Sequence, residues 1–303
     1  MTLVDYELET ELDTDLRRSM LRAMLQARGV DEEATLLQKQ GVVDLWLSCR
    51  GQEAAQVATA LAVDRGAMIV PSYRDHAVAL VRGVQPHELV AQWAGKTFCG
   101  WDPRAVNMFP YTLVLAAQTL HAVGYAIGRR LQGERDYVVA FIGDGASSEG
   151  DMSEALNLAA VESAPVLFVC QNNGWAISKP SSEQMATSLA ERARGFGVRA
   201  VTVDGQDPEH VYRAATAAVD YIETDRAPYL LELKVARMRG HSTNDAHELY
   251  RSAEDIADAE ADDPVTAYAR ALTEDGVVDE DWFAALRAEI AETRRLLAKW
   301  YER

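Results

Sequence analysis

Two apolar runs dominate the middle of the chain. Tyr137-Val138-Val139-Ala140-Phe141-Ile142 and Val166-Leu167-Phe168-Val169-Cys170 are continuous rather than alternating, the pattern of strands buried on both faces. Polar residues follow each run: Gly143-Asp144-Gly145 after the first, Asn172-Asn173 after the second. Between them residues 152–160 have helical composition and stop before Pro165. Two further apolar runs, residues 198–203 and 229–235, continue the pattern. Strand starts therefore recur at roughly 30 residues, the length of a βαβ unit, although the segments share no sequence repeat. Residues 67–70, before Pro71, predict a short additional strand.

Helical patterning fills the rest. Residues 16–40 predict a helix broken near Gly29, and 52–62 a buried Ala-rich one. Residues 115–131 predict a long helix in which Gly124 and Gly128 suit close packing. Helices are also expected over 187–194, 208–223 and from Glu254 onward, with Asp262-Asp263-Pro264 as a helix start and Trp282 and Trp300 as packing anchors. The expected fold class is α/β, a parallel sheet flanked by helices on both faces. Residues 1–15 are expected to form a flexible acidic N-terminus. Residues 16–303 are expected to form a single α/β domain with helical additions at both ends.

Parallel strands place their exits on one edge, so Asp144 and Asn173 should face one crevice. Oxygen donors on adjoining loops suit a magnesium ion that bridges phosphates. Gly145-Ala146-Ser147-Ser148 is small enough for backbone N–H groups to approach a phosphate, and the following helix favours an anion. Both clusters are also turn formers, the alternative reading of each alone. Glu149 and Asp151 are expected to cap the helix, not to perform chemistry. His241 follows the last strand and would reach the same crevice. His76 is read as a packing or surface histidine and His121 as a core one; His87, His210 and His247 are expected at the surface.

Charge narrows the partners. The formal net charge is -17, from 30 Lys+Arg against 47 Asp+Glu, which argues against nucleic acid or an anionic membrane. No apolar run reaches membrane-spanning length. Cys49, Cys99 and Cys170 have no paired spacing, and Cys170 fits a buried strand position. A reducing compartment fits. The start, Met1-Thr2-Leu3-Val4-Asp5, lacks signal or presequence features, so a cytoplasmic, prokaryotic protein is expected.

GDG and NN, separated by residues 146–171, resemble the thiamine-diphosphate signature. Gly143–Asp151 (GDGASSEGD), residues 172–184 (NNGWAISKPSSEQ), 50–54 (RGQEA), 72–76 (SYRDH) and 240–243 (GHST) are together similar to one family. That family is the alpha subunit of the decarboxylating component of 2-oxoacid dehydrogenase complexes, and the resemblance spans roughly residues 15–300. It implies a thiamine-diphosphate-binding fold with Mg2+ held by Asp144, the Asn173 side chain and the Trp175 carbonyl. It also implies coenzyme contacts from Tyr73, Arg74, Gly143, Asp144, Gly145, Ala146, Ile177 and His241. Tyr73 and Arg74 would touch the diphosphate, and His241 would act as hydrogen-bond donor or proton source beside it. Leu115 matches the apolar residue that props the coenzyme in its bent form, or is plain core.

The implied activity is oxidative decarboxylation of a 2-oxo acid with acyl transfer to lipoyl. NNGWAIS and SEQ favour branched-chain over pyruvate relatives. The implied partners are a beta subunit, in an α2β2 heterotetramer, and a lipoyl acyltransferase component. Acetoin dehydrogenase alpha subunits and a non-catalytic alpha-like binding subunit are the alternatives. Departures touch the substrate end. Leu113 stands where relatives usually carry Ser, Gln171 where several carry Arg, and Trp175 where Tyr is common. The stretch from Phe98 to Leu113 is altered, and the chain ends at Arg303, earlier than most relatives. The serine matching Ser242 is a phosphorylation target in mitochondrial relatives; an unmodified loop hydroxyl is expected here.

Overall fold

The apolar runs become a five-stranded parallel sheet in a computed structural model that describes residues 12–301. Its strands are β1 (Met68–Val70), β2 (Val138–Gly143), β3 (Val166–Asn172), β6 (Arg199–Asp204) and β7 (Tyr229–Lys234), in the order β1-β2-β3-β7-β6. A two-stranded antiparallel hairpin, β4 (Trp175–Ala176) and β5 (Lys179–Pro180), follows β3. The central strands are mainly apolar because both sheet faces are covered; Glu232 in β7 and Gln171 and Asn172 at the exit of β3 are buried polar exceptions. Successive side chains alternate between faces. Val139, Phe141, Leu167 and Val169 enter one core; Val138, Ala140, Ile142 and Phe168 enter the other. Each fully buried Leu, Ile or Phe contributes about 1.5–3 kcal/mol.

The helices are α1 (Thr14–Lys39), α2 (Glu53–Ala62), α3 (His76–Arg82), α4 (Pro86–Ala91), α5 (Pro103–Val106), α6 (Ala117–Leu131), α7 (Gly150–Val161), α8 (Leu189–Gly195), α9 (Pro208–Asp225), α10 (Ala253–Ala261), α11 (Pro264–Glu274) and α12 (Glu280–Tyr301). Helices α2 and α9 cover the first face; α6, α7 and α8 cover the second. A third core joins α1, α2 and α11. Arg28 of α1 ties these three together, reaching Glu53 at 2.7 Å and the Asp263 carboxylate at 2.7 and 2.9 Å. Asp263 also caps α11, accepting from the Val265 N–H at 3.0 Å, as Asp-Pro at a helix start requires. Among the described residues no helix is long and apolar enough to cross a membrane.

Several expectations are corrected. Helix α1 passes through Gly29 unbroken. A Cβ at Gly29 would lie 2.5 Å from Ile290 Cγ2, so this glycine admits α12 rather than ending a helix. Helix α1 also begins at Thr14, capped by Asp13, within the stretch expected to be flexible; residues 1–11 and 302–303 lie outside the described ones. Helix α6 starts at Ala117, since Ala116 adopts φ +64° and turns the chain. Gly124 and Gly128 meet nothing within 4 Å of an added Cβ among the described residues, so neither marks a close approach of another described element. Trp300 is 57% exposed and lies against His87, whereas Trp282 packs at the edge of the third core. His121 is exposed, not core, and His87, His210 and His247 are half-buried, not surface residues.

Candidate functional site

Strands β2 and β3 end side by side, with Gly143 opposite Gln171. Asp144 opens a tight turn, Asp144–Ser148, and is only 1% exposed. Its Oδ1 accepts from the Asn173 N–H at 3.2 Å, and its Oδ2 accepts from the Ser181 hydroxyl. Its carbonyl accepts from Ser147 Oγ at 2.6 Å and Gln184 Nε2 at 3.2 Å. Burial pushes the Asp144 carboxyl up, and the bonds from Ser181 and Asn173 pull it partly back. No ion pair serves it among the described residues; Lys234, whose charge it feels, is itself paired with Glu232 at 3.1 Å.

The two asparagines divide their work. Asn172 Nδ2 donates to the buried Glu232 at 2.5 Å, and its Oδ1 accepts from the Gly174 N–H at 3.1 Å. Asn173 Oδ1 accepts from the Trp175 N–H at 3.1 Å. Gly174, at φ +78°, makes the turn between them and the hairpin. A Cβ at Gly145 would sit 3.1 Å from Ala176 Cβ and 3.9 Å from the Trp175 carbonyl oxygen. Glycine there lets the hairpin close on the turn, which brings the Trp175 carbonyl beside Asp144's loop.

Arg74 follows β1 and is 6% exposed. Its Nη1 donates to the Ser48 carbonyl at 2.7 Å and its Nη2 to the His241 carbonyl at 2.9 Å. It forms no ion pair with a carboxylate among the described residues. Its Nη2 also lies 3.4 Å from His241 Nδ1. A guanidinium only donates, so that contact requires an unprotonated Nδ1 and leaves the proton on Nε2. Burial, then the charges of Arg74 and Arg237, lowers the His241 imidazole to about 4. Tyr73 meets His241 edge-on at 6.0 Å between ring centroids. The His241 N–H donates to Asp245 Oδ2 at 2.6 Å, which fixes the loop carrying it. Arg237 and Arg251 lie 5.8 and 5.7 Å from the Trp175 ring and hold that loop against the hairpin.

One cleft of about 510 Å³ gathers every residue expected at the site. Tyr73, Arg74 and His241 line it, as do Gly143, Asp144, Gly145 and Ala146 from the β2 exit. Asn173, Trp175 and Ile177 enter from the β3 exit, and Leu115 from the segment before α6. The altered upstream stretch is pinned to β1, with Ile69 N–H donating to Asn107 O at 2.8 Å and Phe109 N–H to Ile69 O at 2.9 Å. That run delivers Thr112, Leu113, Val114 and Leu115 to the cleft. Ile177 holds φ +53°, a strained conformation for a β-branched residue. Among the described residues no three His, Cys, Asp or Glu side chains cluster as metal ligands. A cation held by Asp144 in this cleft would draw on amide and backbone oxygens beside that carboxylate.

The chain matches the family described as the dehydrogenase E1 component over residues 21–294. It belongs to that family. It is 39% identical to the 3-methyl-2-oxobutanoate dehydrogenase subunit alpha of Mycobacterium tuberculosis over 251 residues, covering 82% of this chain and 68% of that protein. Identity to the 2-oxoisovalerate dehydrogenase subunit alpha of Bacillus subtilis is 36% over 269 residues, 84% of this chain and 81% of the other. The pyruvate dehydrogenase E1 component subunit alpha of Staphylococcus aureus is 32% identical over 256 residues, 84% of this chain and 69% of the other.

In this E1 chain the cleft has members that sequence reasoning missed. Leu45 and Leu47 line it from an irregular loop that carries no periodic signal. Gln52 lines it from within the RGQEA string, which marked the family without giving that residue a role. Gln171 is 3% exposed and bonds Asp75 Oδ1 at 2.5 Å and Gln56 Nε2 at 2.9 Å. The amide at this position is thus committed to buried neighbours.

Proposed function

We propose that this chain is the alpha subunit of a thiamine-diphosphate-dependent 2-oxoacid dehydrogenase acting on branched-chain 2-oxo acids. One observation carries the reading. Asp144 and Arg74 line the same cleft, both are buried, and neither has an ion-pair partner of opposite sign among the described residues. Unpaired buried charges are costly, and a ligand carrying both a divalent cation and a diphosphate satisfies both at once. Asp144, Asn173 and the Trp175 carbonyl would hold Mg2+, a set of hard oxygen donors suited to it. Arg74, Tyr73 and the small residues of the Asp144–Ser148 turn would hold the diphosphate. Leu115 and Ile177 would bear on the apolar rings. When bound, thiamine diphosphate supplies the electron sink that decarboxylation needs.

The protein's own part is orientation and proton placement. His241 is neutral at neutral pH, and its Nε2–H can donate to an oxygen in the cleft without adding charge. Leu45, Leu47, Leu113 and Val114 give the cleft an apolar lining that suits an aliphatic side chain. The names of the Mycobacterium and Bacillus relatives support the branched-chain preference. Those names, "subunit alpha", also support a beta subunit. We place the chain in an α2β2 heterotetramer whose beta subunit covers the open side chains of Leu113, Val114 and Ile177 and supplies the glutamate that activates the coenzyme. A lipoyl acyltransferase would receive the acyl group. A cytoplasmic setting accords with Cys49, Cys99 and Cys170, which are free thiols.

The test is a substrate panel and a coenzyme titration on the chain co-produced with its beta partner. Faster carbon dioxide release from 3-methyl-2-oxobutanoate than from pyruvate is expected, with Mg2+-dependent coenzyme binding that Asp144→Ala abolishes. Preference for pyruvate or acetoin would overturn the substrate. Unchanged coenzyme affinity and metal dependence in Asp144→Ala would overturn the site.

A further inference from the structure

Three buried side chains with no direct part in this reading join the two halves of the cleft. Gln171 lies at the tip of β3, just before Asn172 and Asn173. Its Nε2 donates to Asp75 Oδ1 at 2.5 Å, and its Oε1 accepts from Gln56 Nε2 at 2.9 Å. Gln56, on α2, also donates to the Arg74 carbonyl at 3.1 Å and accepts from the Ala77 N–H at 3.0 Å. Asp75 Oδ2 accepts from the Ser72 N–H at 2.6 Å. Gln56, Asp75 and Gln171 are each 3% exposed or less.

The chain of bonds has one possible direction. The Ala77 N–H can only donate, so it fixes Gln56 Oε1 on its side and turns Nε2 toward Arg74 and Gln171. Both Nε2 hydrogens are then used. Gln171 must meet that donor with its oxygen and so presents its own Nε2 to Asp75. Asp75, an acceptor there, receives the Ser72 N–H with its second oxygen. No amide can flip without leaving a buried group unsatisfied. The backbone on either side of Tyr73 and Arg74 is thereby bolted to the strand tip that carries Asn173.

We propose that Gln56, Gln171 and Asp75 are positioning residues that set the spacing between Arg74 and Asn173, and hence between the diphosphate-binding and metal-binding halves of the site. The inference rests on the assignment of Arg74 and Asn173 to coenzyme binding. It is tested on the assembled enzyme by titrating thiamine diphosphate with Mg2+ against Gln171→Met, Gln56→Met, Arg74→Met and their combinations. Each Gln→Met variant is expected to weaken coenzyme affinity about tenfold with Arg74 present and by less than about twofold in Arg74→Met, because the effect acts through Arg74. Gln56→Met/Gln171→Met should be no weaker than either single variant, since both cut one chain of bonds. A loss of equal size in both Arg74 backgrounds, or lowered thermal stability with unchanged affinity, would overturn the proposal while leaving the coenzyme site standing. An unchanged affinity in Arg74→Met would overturn both. Gln56→Met carries the comparison if Gln171→Met fails to fold.

Discussion

Arg74→Met separates what this cleft costs the fold from what it gives the ligand. Arg74 is 6% exposed and bonds two carbonyls, those of Ser48 and His241, but no carboxylate among the described residues. Each charged hydrogen bond contributes about 1.5–3 kcal/mol to folding. Burying a cation without a counter-ion costs several kcal/mol. The terms offset, so the coenzyme-free variant should differ from wild type by no more than about 2 kcal/mol. Binding has no such offset. A unit charge about 4 Å from a phosphate, at an effective dielectric near 20, is worth about 4 kcal/mol. Its desolvation was already incurred on folding, so the variant should lose about 2–4 kcal/mol of coenzyme affinity, roughly 30- to 1000-fold. The assay pairs urea unfolding of the coenzyme-free protein with tryptophan quenching during titration with thiamine diphosphate and Mg2+; Trp175, in the cleft, is the reporter. Affinity within about threefold of wild type would refute the electrostatic argument. So would a coenzyme-free protein destabilised by more than about 4 kcal/mol, which would make Arg74 a structural residue.

Two further outcomes follow from buried ionisable groups. Arg28→Met leaves Glu53, which is wholly buried, without its cation, and should cost about 3–5 kcal/mol in urea unfolding; a loss under about 1 kcal/mol would sink this account of how α1, α2 and α11 are joined. His76 is held by burial at about 3, far below the ordinary histidine value, with Nε2 2.9 Å from the Leu47 carbonyl and Nδ1 3.1 Å from the Tyr111 hydroxyl. The folded state refuses a proton that the unfolded chain takes near pH 6.5, so stability is lost as pH falls below that value and continues to fall toward pH 3. Relative to His76→Gln, wild type should lose roughly 1.4 kcal/mol per pH unit between about pH 6 and 4; parallel stability curves for the two proteins would show that His76 does not titrate this way.

What was legible in the sequence is what local chemistry writes there. The β2 and β3 runs could be read because strands covered on both faces need no polar alternation, and because glycine, aspartate and asparagine mark their exits. Parallel pairing then brought Asp144 and Asn173 to one edge without any knowledge of long-range packing. What failed depended on partners remote in sequence. Gly29 looked like a helix breaker until Ile290 of α12 lay against it. Gly124 and Gly128 looked like packing sites, yet among the described residues nothing lies within 4 Å of where their Cβ atoms would be. His121 sits in an apolar stretch of sequence but on the outward side of α6. Gln171 read as a missing cation because its commitments to Gln56 and Asp75 lie on α2 and in the loop before α3, which no spacing rule connects to β3.

The cleft holds buried charge without ion pairs among the described residues, and its hydrogen bonds explain how it stays so. Asp144 and Arg74 have opposite charges and line one cavity, yet they do not pair. Ser181 and the Asn173 N–H hold the carboxylate on one side; the Ser48 and His241 carbonyls hold the guanidinium on the other. Ile177 adds backbone strain of order 1–3 kcal/mol at the same cleft. A fold selected for stability alone would neutralise or remove these features. Their persistence at the adjoining tips of β2 and β3 is what a preorganised site requires: desolvation and strain are incurred once, on folding, and are not charged again against each binding event.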